Sequence, residues 1–203
     1  MKHQAGFTLV EIAIVMVIIG LLIGGILKGQ EIITNAKIGN VEKEFNNVSV
    51  AIYNYQDRYR ALPGDDTKTQ ARFGIPAGDG DWRINDPFDS SNTDDESRLF
   101  WAHLRSAGLI TGGTDDQNQP NHPFQNIIGV STGTAGTGTA GITGLFVAFK
   151  AIPGDIAEML DTRTDDGDPA LGSVHGAITT EAQTAAATGA YGKDKEYNLY
   201  YAL

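Results

Sequence analysis

The sequence contains no cysteine, and its 203 residues include only 7 prolines and 4 histidines. Missing thiols exclude disulfide frameworks, thiol nucleophiles, thiolate zinc sites and iron–sulfur ligation together. Positive charge is also scarce: 15 Lys and Arg stand against 25 Asp and Glu, a formal charge of -10. Such an excess of acid argues against broad polyanion binding, so no nucleic-acid partner is expected. At 41% apolar residues the chain can still build an ordinary core, which rules out collagenous and wholly disordered classes.

Charge is most conspicuously absent near the N-terminus. Ile12 to Leu27 carry no charged, hydroxyl or amide side chain, and counted from Phe7 the apolar run is 21 residues long, broken by Glu11. As a helix this spans roughly 30 Å, the hydrocarbon thickness of a bilayer. A disposable secretory signal would need a shorter run and a small-x-small cleavage site after it. Instead Lys28, Gly29 and Gln30 follow, and the pattern continues without proline into a second helical stretch. Glu11 is out of place, because a lone carboxylate in hydrocarbon costs about 3 kcal/mol on insertion scales and therefore needs a partner.

Residues Gly6-Phe7-Thr8-Leu9-Val10-Glu11-Ile12, with the apolar run behind them, resemble the class III signal sequence of type IV pilins and type II secretion pseudopilins. The resemblance implies that residues 1–6 are a leader, removed between Gly6 and Phe7 by a prepilin peptidase that then N-methylates Phe7. It also implies a role in assembly for Glu11, whose carboxylate would pair with the N-terminal ammonium of a neighbouring subunit. A buried pair of that kind offsets a desolvation cost that neither charge could bear alone. Further implied partners are other copies in a helical filament and an inner-membrane assembly platform driven by a cytoplasmic ATPase. The precursor would lie in the inner membrane with its N-terminus cytoplasmic and its C-terminal domain periplasmic, and would then enter an extracellular pilus or, as alternatives, a periplasmic pseudopilus or the role of an adhesive minor pilin. Two departures stand out: no proline lies some twenty residues after the cut, where Lys28 sits, and no cysteine closes a C-terminal loop.

Beyond Lys28 the apolar positions become periodic. Ile38, Val41, Phe45, Val48, Ile52, Tyr55 and Tyr59 alternate at spacings of 3 and 4, one stripe on a helix. Pro63-Gly64-Asp65 predicts its end. The domain expectation is therefore 7–27 as the membrane or filament-core half of a long helix, 28–62 as its amphipathic half, and 63–203 as a globular pilin-like domain. Gly20, Gly24, Gly25 and Gly29 form two G-x-x-x-G spacings suited to close helix packing.

The remainder reads as α+β: the long helix packed on a small antiparallel β-sheet with long acidic loops. Glu96 to Ala107 predict a helix with Gly108 as its C-terminal cap. Residues 145–150, 173–178 and 197–202 predict strands, 156–160 a short helix, and the Gly/Thr/Ala tract 129–144 a loop or weak strand.

Catalytic signals fail on context. Gly129-Val130-Ser131-Thr132-Gly133 matches the serine-hydrolase expression, but no helix pattern follows it. No two histidines have helical metal spacing. The chain therefore reads as a structural subunit and not an enzyme, with no cofactor expected save a candidate Ca2+ site at Asp161, Asp165, Asp166 and Asp168. A weaker acidic group contains Asp79, Asp81, Asn85 and Asp86, interrupted by Trp82 and Arg83.

Overall fold

The computed structural model describes residues 8–133, 141–179 and 189–203. Two compact units divide at Gly39, inside the expected 28–62 segment: Met1–Gly39 and Asn40–Leu203. The first consists of the N-terminal part of helix α1, which runs unbroken over Leu9–Tyr59. By length and composition this helix could cross a membrane, and none of its most apolar stretch is buried within the chain.

The second unit begins with the remainder of α1. Of the predicted stripe, Val41, Val48, Ile52 and Tyr55 of this unit are buried, as is Ile38 at the end of the first, and Phe45 and Tyr59 are half-buried. The helix stops earlier than Pro63 requires. Arg60 adopts φ 54°, a left-handed conformation that ends helical geometry while its N–H still bonds to the Gln56 carbonyl. A short helix α2 (Thr69–Phe73) follows, then α3 (Glu96–Ser106), strands β1 (Ile128–Gly133) and β2 (Gly144–Pro153), helix α4 (Gly154–Thr164), and strands β3 (Val174–Ile178) and β4 (Glu196–Ala202). All strand pairs are antiparallel, in the spatial order β1-β2-β4-β3. The molecule is thus α+β, a long helix packed on a four-stranded sheet.

Both faces of the sheet are covered, as the alternation along β2 and β4 requires. On one face Tyr201 lies 4.9 Å from the Phe45 ring of α1 and 5.4 Å from Phe149. On the other, Phe146, Ala148 and Tyr200 meet Phe88 from the long loop before α3, together with Ile142 and Ala177. Gly129 of β1 permits this approach, because a Cβ there would collide with the Phe88 carbonyl.

The Gly108 cap holds as a Schellman motif. Its φ is 69°, its N–H bonds to the Arg105 carbonyl, and the Leu109 N–H reaches back to Leu104. Helix α3 is buried over most of its surface, from Leu99 to Arg105 as well as at Glu96 and Ser97. Arg105 is itself buried, because its guanidinium donates to the carbonyls of Asp116 at 2.5 Å and Asn118 at 2.7 Å, pinning the following loop. Strand β2 and helix α4 both run longer than their predicted cores, and α2 had no sequence counterpart.

Candidate functional site

The N-terminal motif is built around the start of α1. Gly6 and Phe7, the expected cut and methylation positions, lie outside the described residues. Thr8 is the N-cap, its carbonyl taking the first helical bond from Ile12. Glu11 Oε2 accepts from the Thr8 N–H at 2.7 Å and the Thr8 hydroxyl at 2.8 Å, while the Glu11 N–H donates to Thr8 Oγ1 at 3.2 Å. This reciprocal arrangement is a capping box. The carboxylate is therefore not bare within a single chain. The T-x-x-E pattern that specifies the box is legible in the sequence, although the signal-sequence reading accounts for Glu11 without it.

C-terminal to the box, every large apolar side chain from Leu9 to Leu27 is exposed, and Leu9, Val10, Ala13, Ile14, Val17 and Ile18 outline a shallow apolar groove. At Gly20, Gly24, Gly25 and Gly29 a Cβ would meet no atom within 4 Å. The glycines leave a smooth helix surface that none of the described residues occupies. Such a helix is suited to lipid or to close packing against like helices.

Among the acidic candidates, Asp161, Asp165 and Asp166 can bring one oxygen each within 4.8 Å of one another, whereas Asp168 stands outside the group. The Asp168 N–H caps Asp166, and its own carboxylate takes the Ala170 N–H, so it organises the turn instead. Asp161 is fully buried and accepts from the Tyr191 hydroxyl at 2.7 Å and the Gly167 N–H at 3.2 Å. Burial raises its carboxyl above the usual range despite those bonds. Asp165 is held low by bonds from the Ser173 N–H, the Val174 N–H and the Ser173 hydroxyl. All-oxygen donors suit a hard cation. Two of the three carboxylates already bind β3 and the 189–192 segment to α4.

The second acidic group differs from the expected one. Asp79 joins Asp65 and Glu96, while Asp81 instead accepts from the Asn85 side-chain amide at 2.9 Å. Asp65 and Glu96 are buried, and burial raises both carboxyls. They act as spools for the loop between α2 and α3. Asp65 takes the N–H groups of Gly80, Asp81 and Trp82, and Glu96 takes those of Asp79 and Asn85. Asp66 is likewise buried. Burial opposes its charge, but bonds from the Lys68 N–H, Arg72 and the Tyr55 hydroxyl outweigh it and hold the carboxyl low.

His103 of α3 receives the Gly64 N–H on Nδ1 at 2.9 Å, so Nε2 carries the proton and donates to the Pro76 carbonyl at 2.9 Å. Burial lowers its basicity. Ser131 of the G-x-S-x-G match lies within β1 and donates to the carbonyls of Ile84 and Asp86, so it sits in a strand and not at a nucleophile elbow.

What these features define is a membrane-anchored structural class: an N-capped apolar helix with one carboxylate, continuous with a helix that carries an antiparallel sheet domain. Residues 1–27 match the family model of the prokaryotic N-terminal methylation motif. The segment is a class III signal sequence of the kind found on type IV pilins and pseudopilins. As a class, this motif is associated with prepilin peptidase processing and filament assembly. Comparison with curated proteins and with solved structures gives no match.

Proposed function

We propose that this chain is a type IV pilin-like structural subunit without enzymatic activity, cut after Gly6, N-methylated at Phe7 and polymerised into an extracellular filament. The observation that carries the reading is the methylation motif over residues 1–27 joined to a helix whose apolar half is unburied in the single chain. So much exposed apolar surface requires lipid first and neighbouring helices afterwards. In the filament Glu11 pairs with the Phe7 ammonium of the next copy, and the glycine positions allow close packing of helices. The precursor sits in the inner membrane with Asn40–Leu203 on the periplasmic side, and assembly depends on a platform and its cytoplasmic ATPase.

Shearing filaments from cells and sequencing the N-terminal peptide by mass spectrometry tests this. Abundant N-methylated Phe7 in sheared fibres is expected. Cleaved protein retained in the envelope and absent from fibres would point to a periplasmic pseudopilus, and an uncut N-terminus would sink the reading altogether.

A further inference from the structure

The four non-glycine residues with positive φ among the described residues are Arg60, Trp82, Gln125 and Ala151, and the first two line the same cleft. A bulky side chain held at φ 65°, as Trp82 is, costs conformational energy that the surroundings must supply. Here the source is visible: the buried Asp65 carboxylate gathers the N–H groups of Gly80, Asp81 and Trp82 at 2.5, 3.0 and 2.8 Å. Far from hiding the indole, this anchorage holds it in water, with 60% of the residue exposed. A rigid base thus presents an aromatic ring to solvent.

The cleft beside it has a volume of about 210 Å³ and is polar apart from its rings, with Tyr59, Arg60, Thr67, Lys68 and Asp66 among its walls. Trp82 also borders a second hollow of about 510 Å³, next to Arg83, Thr132 and Leu145. Among the charged residues that line the first cleft, Arg60 and Lys68 are balanced by Asp65 and Asp66. Arg60 also faces Asp57 at 3.6 Å, and Asp66 pairs with Arg72 at 2.5 Å. No ion pair engages the Lys68 ammonium among the described residues.

We infer that the Trp82 cleft is a binding site for a neutral saccharide chain. The C–H face of a pyranose ring stacks on an indole, whose negative face attracts polarised C–H groups. Hydroxyl groups, each both donor and acceptor, suit a wall that mixes ammonium, guanidinium, hydroxyl and carboxylate without net charge. The second hollow, which Trp82 also borders, gives a further sugar unit room to continue. A polyanion such as single-stranded DNA, which also stacks on aromatics, meets a protein of net charge -10 and a cleft with no cationic excess. The inference is independent of filament formation, since the whole cleft lies within Asn40–Leu203.

The test uses the full chain in lipid nanodiscs, free of sugar-headed detergent. Of its two tryptophans, Trp101 is buried, so acrylamide quenching reports Trp82. The probes are neutral tetrasaccharides of glucose, galactose, mannose and N-acetylglucosamine, with a tetrauronate and a thymidine oligonucleotide alongside. At least one neutral probe is expected to shield Trp82 with a Kd of about 0.1–1 mM. Trp82→Asn, which tolerates positive φ, should keep or raise the melting temperature while weakening binding by about tenfold or more, measured by calorimetry. Lys68→Ala should weaken it severalfold with the ring in place. The inference is overturned if no neutral probe binds below about 10 mM, if only the uronate or oligonucleotide binds, or if Trp82→Asn binds as well as the parent chain. Concentration-dependent shielding of Trp82 without sugar would overturn it too, by assigning the cleft to a second copy.

Discussion

The two ends of α1 are one secondary structure with opposite fates. From Leu9 to Leu27 its large apolar side chains are exposed, whereas in the stretch after Asn40 Val41, Val48, Ala51, Ile52 and Tyr55 are buried. Both contain Val and Ile, but no charged residue interrupts them between Ile12 and Leu27, whereas after Asn40 Glu42, Lys43, Glu44, Asp57 and Arg58 stand between the apolar positions. Apolar residues all round the helix leave no face for water, while a stripe packs on one face and leaves the others wet. A helix of the first kind finds its partner outside its own chain, and one of the second kind finds it within.

Changes in one region should therefore leave the other untouched. The largest effect is expected from Phe149→Ala, which empties a fully buried site on β2 beside Tyr201 of β4. About 3–5 kcal/mol of domain stability should be lost in denaturant titrations, with membrane insertion unchanged. If insertion also fails, the separation is wrong. Glu11→Leu should do the reverse. By removing one partner of the proposed buried pair it should cost about 3 kcal/mol per contact, more than a hundredfold in sheared fibres, with the melting temperature of the domain unmoved. Normal fibre yield from this variant would remove Glu11 from assembly.

Acid should act on the domain alone. His103 and His122 are both depressed by burial, and in each Nδ1 accepts a backbone N–H, so neither can take a second proton without losing a bond. Below about pH 6.5 the unfolded chain binds protons that the folded chain refuses, so stability falls as pH drops from there toward the lowered folded values. Asp65, Glu96 and Asp161 have raised values and act with the opposite sign, gaining relative stability as they protonate. Melting should come a few degrees lower at pH 5.5 than at 7.5, about 2–4 °C for each kcal/mol lost. His103→Gln should melt lower throughout and show a shallower slope; an unchanged slope would acquit this histidine. The smallest effect is expected from Gly24→Ala. No atom of the described residues meets the added methyl, so the domain melt should stay within about 0.5 kcal/mol, and only fibre yield should fall.

Periodicity carried most of the fold. The stripe on α1, the cap at Gly108 and the strand cores are local patterns, and local patterns survive translation into structure. What sequence could not supply is long-range hydrogen bonding to backbone. Asp65 reads as a turn acid and Glu96 as the start of a helix, yet both are buried because N–H groups up to 17 residues away converge on them. No pattern of residue types encodes that convergence, since any residue but proline offers an N–H. The same reason separates Asp168 from the acids near it in sequence. Helix α2 has only five residues, too few for a period to register. At Arg60 the chain turns left-handed three residues before the proline that seemed to end the helix, and the pocket wall formed by that turn was illegible for the same cause.

The Thr8–Glu11 box has a consequence for how reversible assembly can be. In the proposed filament, the ammonium of an incoming copy meets a carboxylate that two donors already hold. Both donors use Oε2, so Oε1 remains to receive the ammonium, and joining adds a bond to the box without breaking it. A subunit that departs re-enters the bilayer with its acid still sheltered by its own threonine.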